Sequence, residues 1–179
     1  MSKVYEFKAA FKRRKGLWRR IQIKDDQTLK DFDSIMRKAF NHDKDDHLSE
    51  FFPGRAWRSK GFGEIDPTGK GKGSKLRIKT LGLSEGDKLE YVYDFGDDIQ
   101  HIITFEKMVE PKKGTSYPRI IAKNKPKYNY CEACNKQGKK TKATWVCIEC
   151  TNEREKALFL CDDCLIKEHE EHYADELTY

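Results

Sequence analysis

Eight metal-type side chains fill the last third of the chain, in an order that limits how that third can fold. They run Cys131-x2-Cys134-x12-Cys147-x2-Cys150-x10-Cys161-x2-Cys164-x4-His169-x2-His172, and no cysteine precedes Cys131. Structural zinc takes four thiolate or imidazole ligands in a closed tetrahedron. Eight donors therefore complete two sites and leave no coordination position for water or substrate. A segment of about fifty residues buries little core of its own, so metal is expected to replace it. Disulfides are the rival use of six cysteines, but Cys-x-x-Cys knuckles in a chain with no export signal favour zinc. The spacing leaves two partitions open. Sequential pairing gives one four-cysteine site and one Cys2His2 site. Interleaved pairing joins Cys131, Cys134, Cys161 and Cys164, and separately Cys147, Cys150, His169 and His172. A helix from Leu165 is expected to carry both histidines on nearly one face.

The remainder is long enough for one sizeable core within the 179 residues. Aromatics reach 12%, too many for a disordered chain despite 37% charged residues. No apolar run approaches a membrane span and no signal peptide opens the sequence, so no membrane contact and a cytoplasmic location are expected. The net charge of +6 is unevenly spread. Residues 1–127 hold 29 Lys or Arg against 19 Asp or Glu, and residues 128–179 hold 7 against 11. The first part can meet a polyanion; the tail cannot help it.

Hydrophobic periodicity organises that first part. Residues 4–10 alternate as a half-buried strand, and Leu17 to Ile23 forms the second arm of a hairpin. Thr28 caps a helix from Leu29 to Phe40, with Leu29, Phe32, Ile35, Met36, Ala39 and Phe40 on one face. His47 to Phe52 begins a short strand, and residues 53–75 read as a long Gly/Lys/Arg-rich loop. Lys75 to Thr80 is expected as an edge strand, and Thr80 to Gly86 as a helical turn. Leu89 to Tyr93 and Ile99 to Val109 are the clearest strands. Pro111 to Tyr130, with three prolines, reads as a connector. The expected fold class is α+β: a mainly antiparallel sheet with one principal helix, plus a small C-terminal zinc-binding domain. The domains are set at 1–122 and 131–179, with a linker over 123–130.

One string in this part is distinctive by residue identity: Tyr91-Val-Tyr-Asp-Phe-Gly-Asp-Asp-Ile-Gln-His101. It resembles the Tyr-x-Tyr-Asp-Phe-Gly-Asp-x-Trp-x-His signature of the plasmid pRiA ORF-3-like family. Leu17-Trp-Arg-Arg-Ile21, Thr28-Leu-x-Asp-Phe32, Asp46-His-Leu-Ser-Glu-Phe51 and Tyr117-Pro-Arg-Ile120 resemble further family segments, so the likeness covers about residues 3–122. Ile99 departs from it, standing where the family usually has Trp. The resemblance implies an association with mobile elements but no secure biochemical activity. Residues 131–172 are similar in ligand order to a B-box zinc finger. That implies the interleaved partition and a role in protein contacts.

His47, Glu50, Asp94 and His101 could converge as a cleft or weak metal site if their strands are neighbours. The plainer reading is that Asp94 fixes the hairpin by accepting backbone or histidine hydrogen bonds while Phe95 enters the core. Arg55, Arg58, Lys72 and Lys75 are the candidate contacts to DNA or RNA. Arg19 faces away from Trp18 and Arg20, so the basic residues cannot all share one flat patch. These features predict a non-enzymatic adaptor: zinc tail for protein contacts, basic domain for nucleic acid. The alternative is an enzyme or small-ligand-binding protein using His47, Glu50, Asp94 and His101.

Overall fold

The computed structural model describes residues 2–178. The chain divides into two compact units, Met1–Asn124 and Lys125–Tyr179. In the first, β1 (Val4–Phe11), β2 (Trp18–Lys24), β3 (Ser49–Phe52), β4 (Lys88–Tyr93), β5 (Ile99–Val109) and β6 (Arg119–Lys123) form one antiparallel sheet. Its order is β3-β4-β5-β1-β2-β6. Helix α1 (Leu29–Phe40) packs on one face.

Local chemistry fixes both ends of α1. The Thr28 side chain accepts from the Asp31 backbone N–H at 3.4 Å, and the Asp31 carboxylate accepts from the Thr28 N–H at 2.8 Å. This reciprocal box satisfies two helix-end donors. Asn41 closes the helix in the left-handed region at φ 56°. The stripe read from the sequence is the buried one: Phe32, Ile35, Met36, Ala39 and Phe40 meet Phe7, Ile21, Ile23, Tyr91, Ile103 and Phe105 of the sheet. Alternate residues of the same strands point the other way and are polar. There Arg20 Nη2 donates to Glu106 Oε1 at 3.0 Å, and Gln22 Nε2 donates to Glu6 Oε2 at 3.0 Å.

Two local expectations are corrected. Residues 75–80 form no strand; a 3-10 turn spans Ile78–Leu81. The backbone there bonds to the start of the helix instead, since Leu29 N–H donates to the Leu76 carbonyl and Ile78 N–H to the Gln27 carbonyl, at 2.8 and 2.9 Å. The sixth strand comes from the expected connector. Arg119–Lys123 pairs with the free side of β2, with Ile120 and Ile121 each 36% exposed. The loop after β3 covers the other sheet edge, where Ser49 and Ile65 exchange bonds of 3.0 and 2.8 Å.

The second unit is built from three short strands and three short helices. Strands β7 (Trp145–Cys147), β8 (Leu158–Leu160) and β9 (Ala174–Glu176) pair in the order β8-β7-β9. Helices α2 (Glu132–Lys136), α3 (Ile148–Arg154) and α4 (Asp162–His169) each start at a knuckle. Its interior is small: Leu158 and Leu160 pack among Cys131, Cys147 and Cys161. No helix among the described residues is long and apolar enough to cross a membrane.

Candidate metal centres and polar sites

The second unit gathers its eight donors into two clusters. Cys131, Cys134, Cys161 and Cys164 form one; Cys147, Cys150, His169 and His172 form the other. Within each, one donor atom per residue lies within 4.8 Å of the rest. The arrangement is interleaved, because the strands and not the sequence order decide which knuckles meet. Cys131 caps α2, and its Sγ accepts from the Cys134 N–H at 3.5 Å. Cys161 caps α4 two strands later, and Cys134 Sγ lies 3.8 Å from Cys161 Sγ and 3.7 Å from Cys164 Sγ. In the second cluster Cys147 ends β7 and caps α3. His169 ends α4, but His172 lies beyond it, in a turn where its N–H donates to the His169 carbonyl at 2.9 Å. The expected single helical face for both histidines is thus replaced by a helix end and a turn. Their Nδ1 atoms still lie 3.3 Å apart.

The first cluster brings together groups that resist ionising side by side. Burial, reinforced by the neighbouring thiols, pushes the Cys164 thiol well above its ordinary range. Burial opposes ionisation of Cys131 as well, yet the Cys134 and Cys161 backbone N–H groups outweigh it and bring that thiol to about 7. Four thiolates at this separation ionise together only with a cation among them, as a bound metal supplies.

In the first unit the four residues read as a cleft serve separate contacts. His47 and Asp94 do meet, with His47 Nδ1 3.1 Å from Asp94 Oδ2. Asp94 Oδ1 also accepts from the backbone N–H of Gly96 and Asp97, at 2.9 and 3.2 Å, and fixes the β4–β5 turn. Phe95 packs in a small separate cluster with Phe52, Ala56 and Val92, not in the main core. Glu50 turns to the following loop, where its Oε1 accepts from the Gly63 N–H at 2.9 Å.

His101 is fully buried, and its partner is His42, with 3.1 Å between the two Nε2 atoms. The pair sits among Phe11, Phe40 and Tyr93, whose ring stacks on His42 at 4.3 Å. Burial holds both imidazoles neutral, lowering His42 to about 4 and His101 to about 3. The sequence reading missed His42. Its position just past the Asn41 helix cap was the available signal, since the chain there turns back toward the sheet.

Below this pair runs a buried polar network. Asp33 accepts from Arg37 Nε at 2.8 Å, from the Tyr91 hydroxyl at 2.7 Å and from the Ser49 hydroxyl at 2.5 Å. Arg37 donates onward to the carbonyls of Asp43, Asp46 and His47, pinning the 43–47 loop. An open groove of about 820 Å³ follows this loop, lined by Arg37, Lys38, His42, Asp43 and Lys44 among others.

The basic residues disperse. Arg55 and Arg58 lie exposed on the turn after β3, while Lys72 and Lys75 lie exposed on the glycine-rich loop. Arg19 is buried: its Nε donates to the Ala39 carbonyl at 2.9 Å and its guanidinium faces the Phe40 ring. Trp18 is flanked by Lys8 and Arg20, at 5.0 and 5.4 Å from its ring centre.

Residues 3–132 match the family model of plasmid pRiA4b ORF-3-like proteins. Among solved structures, a protein of unknown function from Methanosarcina mazei Go1, MM3350, is similar with a TM-score of 0.56 and 26% identity. The likeness covers 69% of this chain and 70% of that one. No curated protein matches. The family match spans most of the chain, and the sheet, helix and signature turn described above lie within it; the chain belongs to the plasmid pRiA4b ORF-3-like protein family.

Proposed function

We propose that the protein is a zinc-stabilised, non-enzymatic adaptor, its second module contacting protein and its basic first module contacting nucleic acid. The observation that carries this reading is the fit of the donor sets to closed zinc tetrahedra. With Zn–S of about 2.3 Å and Zn–N of about 2.05 Å, the tetrahedral edges are about 3.8 Å for S–S, about 3.6 Å for S–N and about 3.3 Å for N–N. The matching separations here are 3.7 and 3.8 Å, 3.3 to 4.0 Å, and 3.3 Å. All eight donors are used, so both ions are structural and hold no position for a substrate.

The interleaved ligand order agrees with a B-box-like module over residues 131–179, joined by a short linker to the α+β domain, whose last strand ends at Lys123. Ile166 and Tyr173 are 62% and 65% exposed on the zinc module and give a protein partner apolar surface. The family's plasmid origin favours a role with mobile elements, in the cytoplasm. The rival reading, an enzyme or ligand site at His47, Glu50, Asp94 and His101, asks all four side chains to converge, but Glu50 and His101 hold contacts apart from the His47–Asp94 pair. The test is metal analysis of the purified, unreduced and reduced chain by mass spectrometry. Two zinc ions per chain are expected, falling to one in Cys131→Ser and in Cys147→Ser. One ion or none in the undamaged chain overturns the reading.

A further inference from the structure

Four cations from three chain segments surround one cleft of the first module. Lys30 comes from the first turn of α1, Lys70 from the glycine turn, and Lys75 and Arg77 from the segment leading to the 3-10 turn. Thr28, Gly69, Gly71 and Ser74 complete the lining of a space of about 610 Å³. Several cations elsewhere in this module are paired with carboxylates, as in Lys12–Glu90, Arg20–Glu106 and Arg37–Asp33. Among the described residues none of the four cleft cations has a carboxylate within 4.0 Å. The acids nearest in sequence are already engaged: Asp31 in the helix cap with Thr28, and Asp66 by the Thr68 hydroxyl and the Lys70 backbone N–H at 2.6 and 3.0 Å, with the Lys70 charge acting on it from farther off.

The cleft is rigid, which separates it from an ordinary solvated charge run. Gly71 and Gly73 pack against the preceding backbone so closely that a Cβ would lie 2.1 Å from the Glu64 carbonyl oxygen and 2.2 Å from that of Gly63. The loop is tied to the helix by Leu29 N–H to Leu76 O and Lys30 N–H to Ser74 O, at 2.8 and 3.2 Å. Those bonds consume the helix-end donors, so the attraction of the cleft comes from its side-chain charges. The Lys30 stem lies across Gly69, where a Cβ would come within 2.3 Å of its Cε. Side-chain ordering is thus partly complete before any ligand arrives.

We infer that this cleft is a phosphodiester-binding site that grips the backbone of a nucleic-acid strand through Lys30, Lys70, Lys75 and Arg77. The inference rests on the nucleic-acid reading above and gives it a location. It also shifts the contacts: Arg55, Arg58 and Lys72 are outside the cleft lining. No aromatic ring lines the cleft, so it offers a base neither stacking nor an apolar slot. Contacts to phosphate alone position a strand without reading its sequence. A free nucleotide, which needs a place for its base, fits it poorly.

The test uses the full zinc-loaded chain, a labelled 20-base-pair DNA duplex and a 20-nucleotide RNA, in fluorescence anisotropy from 25 to 200 mM salt. Lys30→Glu/Lys75→Glu/Arg77→Glu is expected to weaken binding at least about tenfold and to reduce the salt slope by about 2–3. Arg55→Glu/Arg58→Glu should change affinity less than about twofold. A Gln triple variant at the same three cleft positions guards against misfolding, since it removes charge without reversing it. Equal losses from the cleft and Arg55/Arg58 variants overturn the cleft while leaving nucleic-acid binding intact. Absence of binding to either polymer at 25 mM salt overturns both. Binding of inorganic pyrophosphate without either polymer also overturns the assignment.

Discussion

The two modules reach a defined fold by different physical routes. The first buries a continuous aromatic and aliphatic core, with Phe7, Phe32, Phe51, Tyr91 and Phe105 each at most 1% exposed. The second buries Leu158, Leu160, Ala143 and a set of cysteines, in strands of three residues each. Strands that short gain little from packing or pairing alone. Burial distributes stability over many contacts, whereas coordination concentrates it in a few bonds. A hydrophobic core therefore tolerates local damage in steps, and a metal-held unit is expected to fail as a whole when its ions are removed.

Metal removal should break this contrast most visibly. A strong chelator is expected to abolish amide protection across residues 131–176 while leaving β1, β5 and α1 protected, because coordination contributes on the order of 10 kcal/mol to such small units. Hydrogen-exchange mass spectrometry reads both modules in one sample. Equal retention of protection in both would show that the second module folds on its own packing.

Within the first module the buried polar network should be the most sensitive point outside the apolar core. Asp33 and Arg37 are 4% and 3% exposed, and three donors converge on the Asp33 carboxylate. Asp33→Ala strands the Arg37 charge and should cost about 3–5 kcal/mol in urea unfolding, without changing metal content. A loss below about 1 kcal/mol would mean that water reaches the guanidinium.

Acid should act next. In the unfolded chain His42 and His101 protonate near pH 6.5, while the folded values are about 4 and about 3. Between those limits the unfolded state binds more protons, so stability is full above pH 6.5 and falls as the pH drops toward 4. At pH 4.5 the loss should be about 2.5 kcal/mol per ring, read as a shift in urea midpoint of the first module. His42→Gln should flatten the profile; an unchanged slope would place both rings in contact with water.

The smallest effect is expected at the signature turn. Asp94→Ala removes an acceptor for two backbone N–H groups and for His47, and it leaves alanine at a left-handed φ of 57°. A loss of about 1–2 kcal/mol in thermal or urea melts should follow, with nucleic-acid affinity unchanged. Retained stability with loss of a bound ligand would instead restore the site reading of this turn.

Much of the fold was legible because it rests on local rules. The Thr28 cap, the apolar stripe of α1 and the alternation of β1, β2, β4 and β5 are encoded within a few residues of where they act. The misplacements share a cause. Residues 75–80 and 119–123 have similar weak strand character, and only the competition for a free sheet edge separates them. Arg119–Lys123 reaches the open side of β2, while Leu76 and Ile78 are claimed by the helix start. Likewise, His101 was legible as a member of a motif, but not its partner.

The sequence by itself determined that eight soft donors would be present in knuckle pairs, and that the first part would be an antiparallel sheet with one helix. Spacing and periodicity act along the chain, so they can be read along the chain. The tertiary structure decided which knuckles meet, which spacing left open and only the B-box likeness implied; it alone decided that His101 faces His42 and not Asp94, and that Lys30 joins Lys70, Lys75 and Arg77. Those juxtapositions join different elements, with Cys150 and His169 19 positions apart and His42 and His101 59 apart. They follow from strand order and helix placement, which one-dimensional periodicity does not contain.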